Sequence, residues 1–286
     1  MPRQSMGDLI LLFITFAWGL TFPLIGNAVQ NVDPVLFVMI RFFLAALALL
    51  PFVLLSSGLS VSKDVIYAGM ILGALNAISY VAQTIGLQTI SSAQAAFITG
   101  ISVVLIPFVL PLFAMGRPTK KDILCSLICL LGLFVLTDAS SFHFSSGALW
   151  VLCCAVAVAF AISYIQKASM RINALNSLAF YQILFTAVFI VPFSFGKNYS
   201  PLLLPSVMGS IAFCAIIATS LVLWLQTKYQ RYTTATRAAM IFCFEPIFAS
   251  VFGYLINAEQ IGYRVAIGGA LILLSVLLSE LYSLIA

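Results

Sequence analysis

Three charged side chains stand where charge is expensive. Arg41 lies in IRFFLAALALL, while Arg237 and Glu245 lie in RYTTATRAAMIFCFEPIFASVFGYLINAE, a run apolar enough to cross a bilayer, with Pro246 directly after the carboxylate. On insertion scales a charge at mid-membrane costs about 2.5–3.5 kcal/mol, so such residues face protein or a wet cavity. There they can pair with an opposite charge, recognise a charged solute or carry a coupling proton. Arg237 and Glu245 are eight residues apart, about 12 Å along a helix axis and some 80° around it, so a straight helix does not pair them. Arg41 reads as a structural charge, and a partnership with Glu245 across helices is one way to hold it. Arg237 and Glu245 divide between structure and solute binding.

Uncharged polar residues give a second signal. Asn76, Tyr80 and Gln83 fall at i, i+4 and i+7, one face of a helix. They either line a solvated path or hydrogen-bond to neighbouring helices. Ser220, Trp224 and Thr227 repeat the spacing; Trp224 also fits an interfacial aromatic belt. Trp18 shares a face with Thr15 and Phe22, and Tyr164 stands with Phe160 and Ser163. Ser92, Ala96, Thr99 and Ser102 form a small-residue stripe that suits close helix packing, with Thr99 the site candidate on it. The candidate substrate-binding set is therefore Trp18, Asn76, Tyr80, Gln83, Thr99, Tyr164, Trp224, Arg237 and Glu245, with Arg41 apart from it. No catalytic residue, metal ligand or cofactor site is expected. The six cysteines all sit in apolar runs and the one histidine, His143, in a loop, whereas zinc needs three or four converging ligands. No GxxxxGK[ST] loop occurs, which speaks against ATP hydrolysis within the chain.

The elements that carry these residues are membrane spans. The chain is 63% hydrophobic and 7% charged, with mean hydropathy +1.16, against roughly a quarter charged for a soluble domain. Its +5 net charge therefore does not point to nucleic acid. About 20 apolar residues cross a bilayer, and candidate spans run over roughly 7–28, 34–56, 64–88, 92–115, 120–138, 146–168, 176–196, 203–228, 233–257 and 262–283. The first run, 9–29, exceeds a signal-peptide core and reads as a retained span. With the N-terminus inside, nine lysines and arginines fall in cytoplasmic segments and two, Lys197 and Arg264, outside. An even number of spans returns the C-terminus to the cytoplasm.

The two halves, 1–139 and 140–286, resemble each other in order. Gly7-Asp8-Leu9 answers Gly147-Ala148-Leu149; Pro51-Phe52 answers Pro192-Phe193; Leu87-Gln88-Thr89 answers Leu225-Gln226-Thr227. Ser92-Ala93-Gln94-Ala95-Ala96 answers Thr234-Ala235-Thr236-Arg237-Ala238, and Asp138 and Glu280 close the two halves. Five spans per copy is an odd number, so the copies insert with opposite topology. Inverted repeats are a signature of secondary transporters, whose site lies near the midplane between the repeats. The expected fold is all-α: ten transmembrane helices in two inverted five-helix repeats around a central cavity.

The ninth-span string, with the following GGALILLSVLL and the first-half pieces AWGLTFP and AFITGISVVLIPFVLP, resembles the EamA domain family of the drug/metabolite transporter superfamily. The resemblance implies a ten-helix carrier of the bacterial inner membrane, with a cavity lined by the first, third, fourth, sixth, eighth and ninth helices. The family often carries a glutamate after the fourth span; here the chain reads Gly116-Arg117-Pro118, and only Glu259, after the ninth, keeps an acid. The expected function is secondary active transport of a small metabolite by alternating access, with export of an amino acid or related compound leading. The rival within the fold is uptake or exchange of a nucleotide-like metabolite such as S-adenosylmethionine; a channel and an intramembrane enzyme are rivals of other classes. Expected partners are the cargo, the lipid bilayer and a coupling proton. Gly69-x-x-x-Gly73 and Gly262, Ala266 and Gly269 read as tight helix contacts, the latter set as a homodimer face.

Overall fold

Each predicted run is a helix, and the turn residues between runs are where helices stop. The computed structural model describes residues 3–136, 145–260 and 262–285, residue 136 and the stretch 280–285 by backbone alone, with no strand among them. Asp138 and His143 lie outside the described residues. In chain order the helices are α1 (Arg3–Ala28), α2 (Pro34–Ser56), α3 (Lys63–Gly86), α4 (Ser92–Phe113), α5 (Lys120–Leu136), α6 (Ser146–Arg171), α7 (Leu175–Phe193), α8 (Pro205–Tyr232), α9 (Ala235–Asn257) and α10 (Tyr263–Ile285). Eight of these are long and apolar enough to cross a membrane. Their starts are set locally. Asp33 accepts from the amides of Val35 and Leu36 ahead of Pro34, and Ser91, Ser145 and Thr234 cap α4, α6 and α9 in the same way.

Three helices are irregular near their middles. α4 breaks at Ile101 into Ser92–Gly100 and Ser102–Val109. α9 breaks after Phe242 and resumes at Glu245–Asn257 with Pro246 in its first turn, where the missing amide is harmless. α8 carries a π-helical turn over Ile216–Leu221. Broken backbone at membrane depth is tolerated where it is covered by protein or lines a water-filled cavity.

Packing follows a pattern of exchange between the halves. α3 packs on α6 and α7, and α8 on α1 and α2; α1 packs on α9, and α6 on α4. α2 meets α7, α4 meets α9, and α5 meets α10. Close approach depends on glycine at particular points. A Cβ at Gly69 or Gly73 of α3 would come 2.5 and 2.6 Å from the Cβ atoms of Tyr181 and Phe185 on α7. One at Gly19 of α1 would collide with Phe248 of α9. Gly269 of α10 packs inside the chain too, against Ile247 of α9. The outward faces keep large apolar side chains such as Phe13, Leu47, Leu131 and Leu277 uncovered, as lipid contact requires.

Candidate functional site

The bundle holds a hollow midway along its helices, lined by polar side chains set among apolar ones. Its cavity volume is about 80 Å³, so it must widen to take a metabolite-sized cargo. The six helices that line it are α1, α3, α4, α6, α8 and α9. Trp18 and Thr21 come from α1; Asn76, Ser79, Tyr80 and Gln83 come from one face of α3; and Thr99, Gly100 and Ser102 flank the break in α4. Cys154, Val158 and Ile162 come from α6, Leu223 and Gln226 from α8, and Phe242, Cys243 and Glu245 flank the break in α9. The two helix breaks thus meet at the hollow, and the Cys243 thiol reaches the Gly100 carbonyl at 3.8 Å. Glu245 opens the second segment of α9, directly before Pro246.

Of the predicted set, the hollow brings together Trp18, Asn76, Tyr80, Gln83, Thr99 and Glu245. Gln83 donates to the Thr99 hydroxyl at 3.2 Å, tying α3 to α4, and that hydroxyl in turn donates to the Ala95 carbonyl. Arg41 is 1% exposed and stands behind this wall. Its Nε donates to Thr219 Oγ1 at 2.7 Å and its Nη2 to the Ala218 carbonyl at 3.3 Å, both within the π-turn of α8. Its guanidinium lies 4.8 Å from the centre of the Tyr80 ring. The Trp18 indole donates to the same Ala218 carbonyl at 3.1 Å. A π-turn breaks the regular ladder, and here Arg41 and Trp18 bond at it. Glu245 is no partner of Arg41; ion pairs that do form are Asp33–Lys197 at 2.8 Å and Asp8–Arg237 at 2.7 Å.

Three predicted residues stand elsewhere. Arg237 stands in the first turn of α9, near the start of its run as expected, but away from the hollow, and forks onto both oxygens of Asp8 near the start of α1. Trp224 donates to Asn176 Oδ1 at 2.8 Å at the meeting of α8, α7 and the end of α2, with the Lys228 ammonium over its ring at 4.9 Å. Tyr164 packs on Phe113 at the far end of α4, with ring centres 5.5 Å apart. Thr227 spends its hydroxyl on Gln182 and Leu223. Leu223 and Gln226, one residue earlier than Trp224 and Thr227, take the inward face.

Gln226 belongs to a set that sequence reasoning passed over. Its amide donates to Gln230 Oε1 at 2.9 Å; Gln230 donates to the Ile162 carbonyl at 2.9 Å and to Gln166 Oε1 at 3.2 Å; Gln166 donates to the Thr233 carbonyl at 2.8 Å. All three glutamines are buried, and they floor the hollow on the side of the Asp8–Arg237 pair. The i, i+4 spacing of Gln226 and Gln230 on one apolar helix was a readable signal. The partner Gln166, from another helix, was not.

A helical membrane bundle around a hollow built by six helices from both halves is the architecture of a solute transporter. The chain belongs to the EamA-like transporter family, whose model matches residues 5–138 and again 145–281. An "Uncharacterized transporter" of Archaeoglobus fulgidus is 31% identical over 279 residues, covering 98% of this chain and 87% of the relative. The "Uncharacterized transporter YoaV" of Bacillus subtilis is 24% identical over 275 residues, covering 92% of each. A solved crystal structure superposes with a TM-score of 0.77 over 97% of each chain at 17% identity, a likeness of fold alone. Family and relatives point to a membrane transporter and away from an enzyme.

Proposed function

We propose that the protein is a secondary carrier of the bacterial inner membrane that moves an amino acid or related small metabolite, in the direction of export, by alternating access. The observation that carries this is the hollow itself: midway along the helices, with several polar side chains in its lining, and walled by the two broken helices α4 and α9. Discontinuous helices at the interface of two repeats are where secondary transporters bind cargo. In this reading residues 1–139 and 140–286 are the two inverted repeats and rock about the hollow. The reciprocal packing of the halves supports it, since the main contacts, α3 on α6 and α7 and α1 on α9, have counterparts in α8 on α1 and α2 and α6 on α4. Contacts at the ends support opposite insertion: Asp8 near the start of α1 and Gln166 near the end of α6 both reach the region where α9 begins.

The bias of lysine and arginine puts that end, with both termini, in the cytoplasm. The buried glutamine floor and the Asp8–Arg237 pair then close the hollow towards the cytoplasm and must part when cargo enters. Trp18, Asn76, Tyr80, Gln83 and Thr99 contact the cargo, with aromatic faces for stacking and amides for orientation.

The test is a thermal-shift screen of purified protein against amino acids, nucleotides and other metabolites, followed by flux of the hits in reconstituted vesicles. A carrier saturates and shows trans-stimulation. Linear, unsaturated flux would make the protein a channel, and stabilisation by nucleotides but not amino acids would replace the cargo class.

A further inference from the structure

The hollow holds one carboxyl group. Among its lining residues Glu245 alone carries an ionisable acid or base at neutral pH, apart from weakly acidic tyrosine and thiol groups. The residue is 9% exposed, and among the described residues its carboxylate makes no hydrogen bond or ion pair. The nearest basic group behind the wall, Arg41, is directed to Thr219, Ala218 and the Tyr80 ring. A carboxylate removed from water without a cation is strongly disfavoured. A second group in the same hollow is also unanswered. Asn76 is 6% exposed, and its amide nitrogen has no partner. A buried donor left unsatisfied is the kind of exception that a bound ligand explains. Around these two stand the rings of Trp18, Tyr80 and Phe242, whose faces attract cations.

Resting on the carrier reading, we propose that Glu245 is the counter-charge for a cationic nitrogen on the cargo, and that Asn76 donates to an oxygen beside it. The hollow is then selective for small amino compounds, amines and α-amino acids, over anions that lack an amine. A free carboxylate or phosphate cargo would meet Glu245 unscreened, and like charges brought together out of water repel strongly.

The experiment uses full-length purified protein and two charge series, each on a constant skeleton: phenethylamine, phenylalanine, 3-phenylpropionate and 2-phenylethanol; and isopentylamine, leucine, 4-methylpentanoate and 3-methylbutanol. We expect the amine and the amino acid of at least one skeleton to raise the melting temperature by several degrees, and the carboxylate and alcohol to leave it unchanged. In Glu245→Gln the amine's shift disappears, while Glu245→Asp retains part of it. The wild-type series needs no variant, so a poorly folding Glu245→Gln does not rescue the idea. Binding of the carboxylate or alcohol as tight as that of the amine, an undiminished shift in a folded Glu245→Gln, or no shift from any of the eight compounds would each overturn it. Counterflow in vesicles separates this from the carrier reading. Saturable movement of carboxylates but not amines sinks the charge assignment and leaves the carrier. Glu245-dependent binding without any counterflow does the reverse.

Discussion

Two corners of the bundle, one at the start of each stretch that the family model matches, are closed by different chemistry. At one, the starts of α1 and α9 meet through Asp8 and Arg237, whose side chains are 17% and 7% exposed, beside the buried chain Gln226–Gln230–Gln166. At the other, the starts of α6 and α4 hold Ala148 and Ala95 at the corresponding places, both buried. Gly86 and Gly147 there bring α3 and α6 close enough that a Cβ on Gly86 would sit 2.9 Å from the Gly147 carbonyl. Gln88, which answers Gln226 in the repeat, is exposed and merely donates to the Val29 carbonyl at 3.2 Å. One corner is a polar latch whose members need each other; the other is a fit of small side chains. Alanine faces separate with little loss of specific bonding, whereas parting the latch must rehydrate a fork-shaped ion pair and three amides.

If this contrast holds, damage should be graded between the corners. The largest effect is expected from Asp8→Ala or Arg237→Ala, each of which strands the other charge and costs about 3–5 kcal/mol. Thermal melting in detergent measures it, and the exchange Asp8→Arg with Arg237→Asp should recover much of the loss. Failure of the exchange alongside intact single variants would remove the latch. Next comes Gln230→Leu, which leaves Gln226 and Gln166 without their shared partner at about 1–3 kcal/mol. It should also raise labelling of Cys154 and Cys243 in the hollow by membrane-impermeant thiol reagents from the latch side only. At the opposite corner Ala95→Leu overpacks a filled contact and costs about 1–3 kcal/mol, read by the same melting curve. Its labelling pattern should change from the other side. Gln88→Ala should fall within about 0.5 kcal/mol of wild type, as exposed substitutions do; a loss as large as that of Gln226→Ala would erase the contrast.

The region of Arg237 shows why parts of this site were hidden in the sequence. Its lack of a nearby partner was legible, because eight residues of helix set Glu245 away from it. That Asp8 is the partner was not, since the two are 229 positions apart and meet only when α1 packs on α9. Trp224 misled because periodicity says which residues share a helix face, not which face turns inward, and on α8 that is the face of Leu223 and Gln226. On α3 the same rule placed Asn76, Tyr80 and Gln83 on the hollow.

From the order of residues alone came the membrane class, the run boundaries and the inward face of α3. These follow from chain length against bilayer thickness and from helical period, which are properties of neighbours along the chain. Folding in three dimensions decided the rest: that Arg41 spends its charge on the π-turn of α8, that Glu245 is left with none to answer it, and that three glutamines from two helices join. Each is a meeting of side chains far apart in sequence, and charge and hydrogen-bond pairing depend on distance in space.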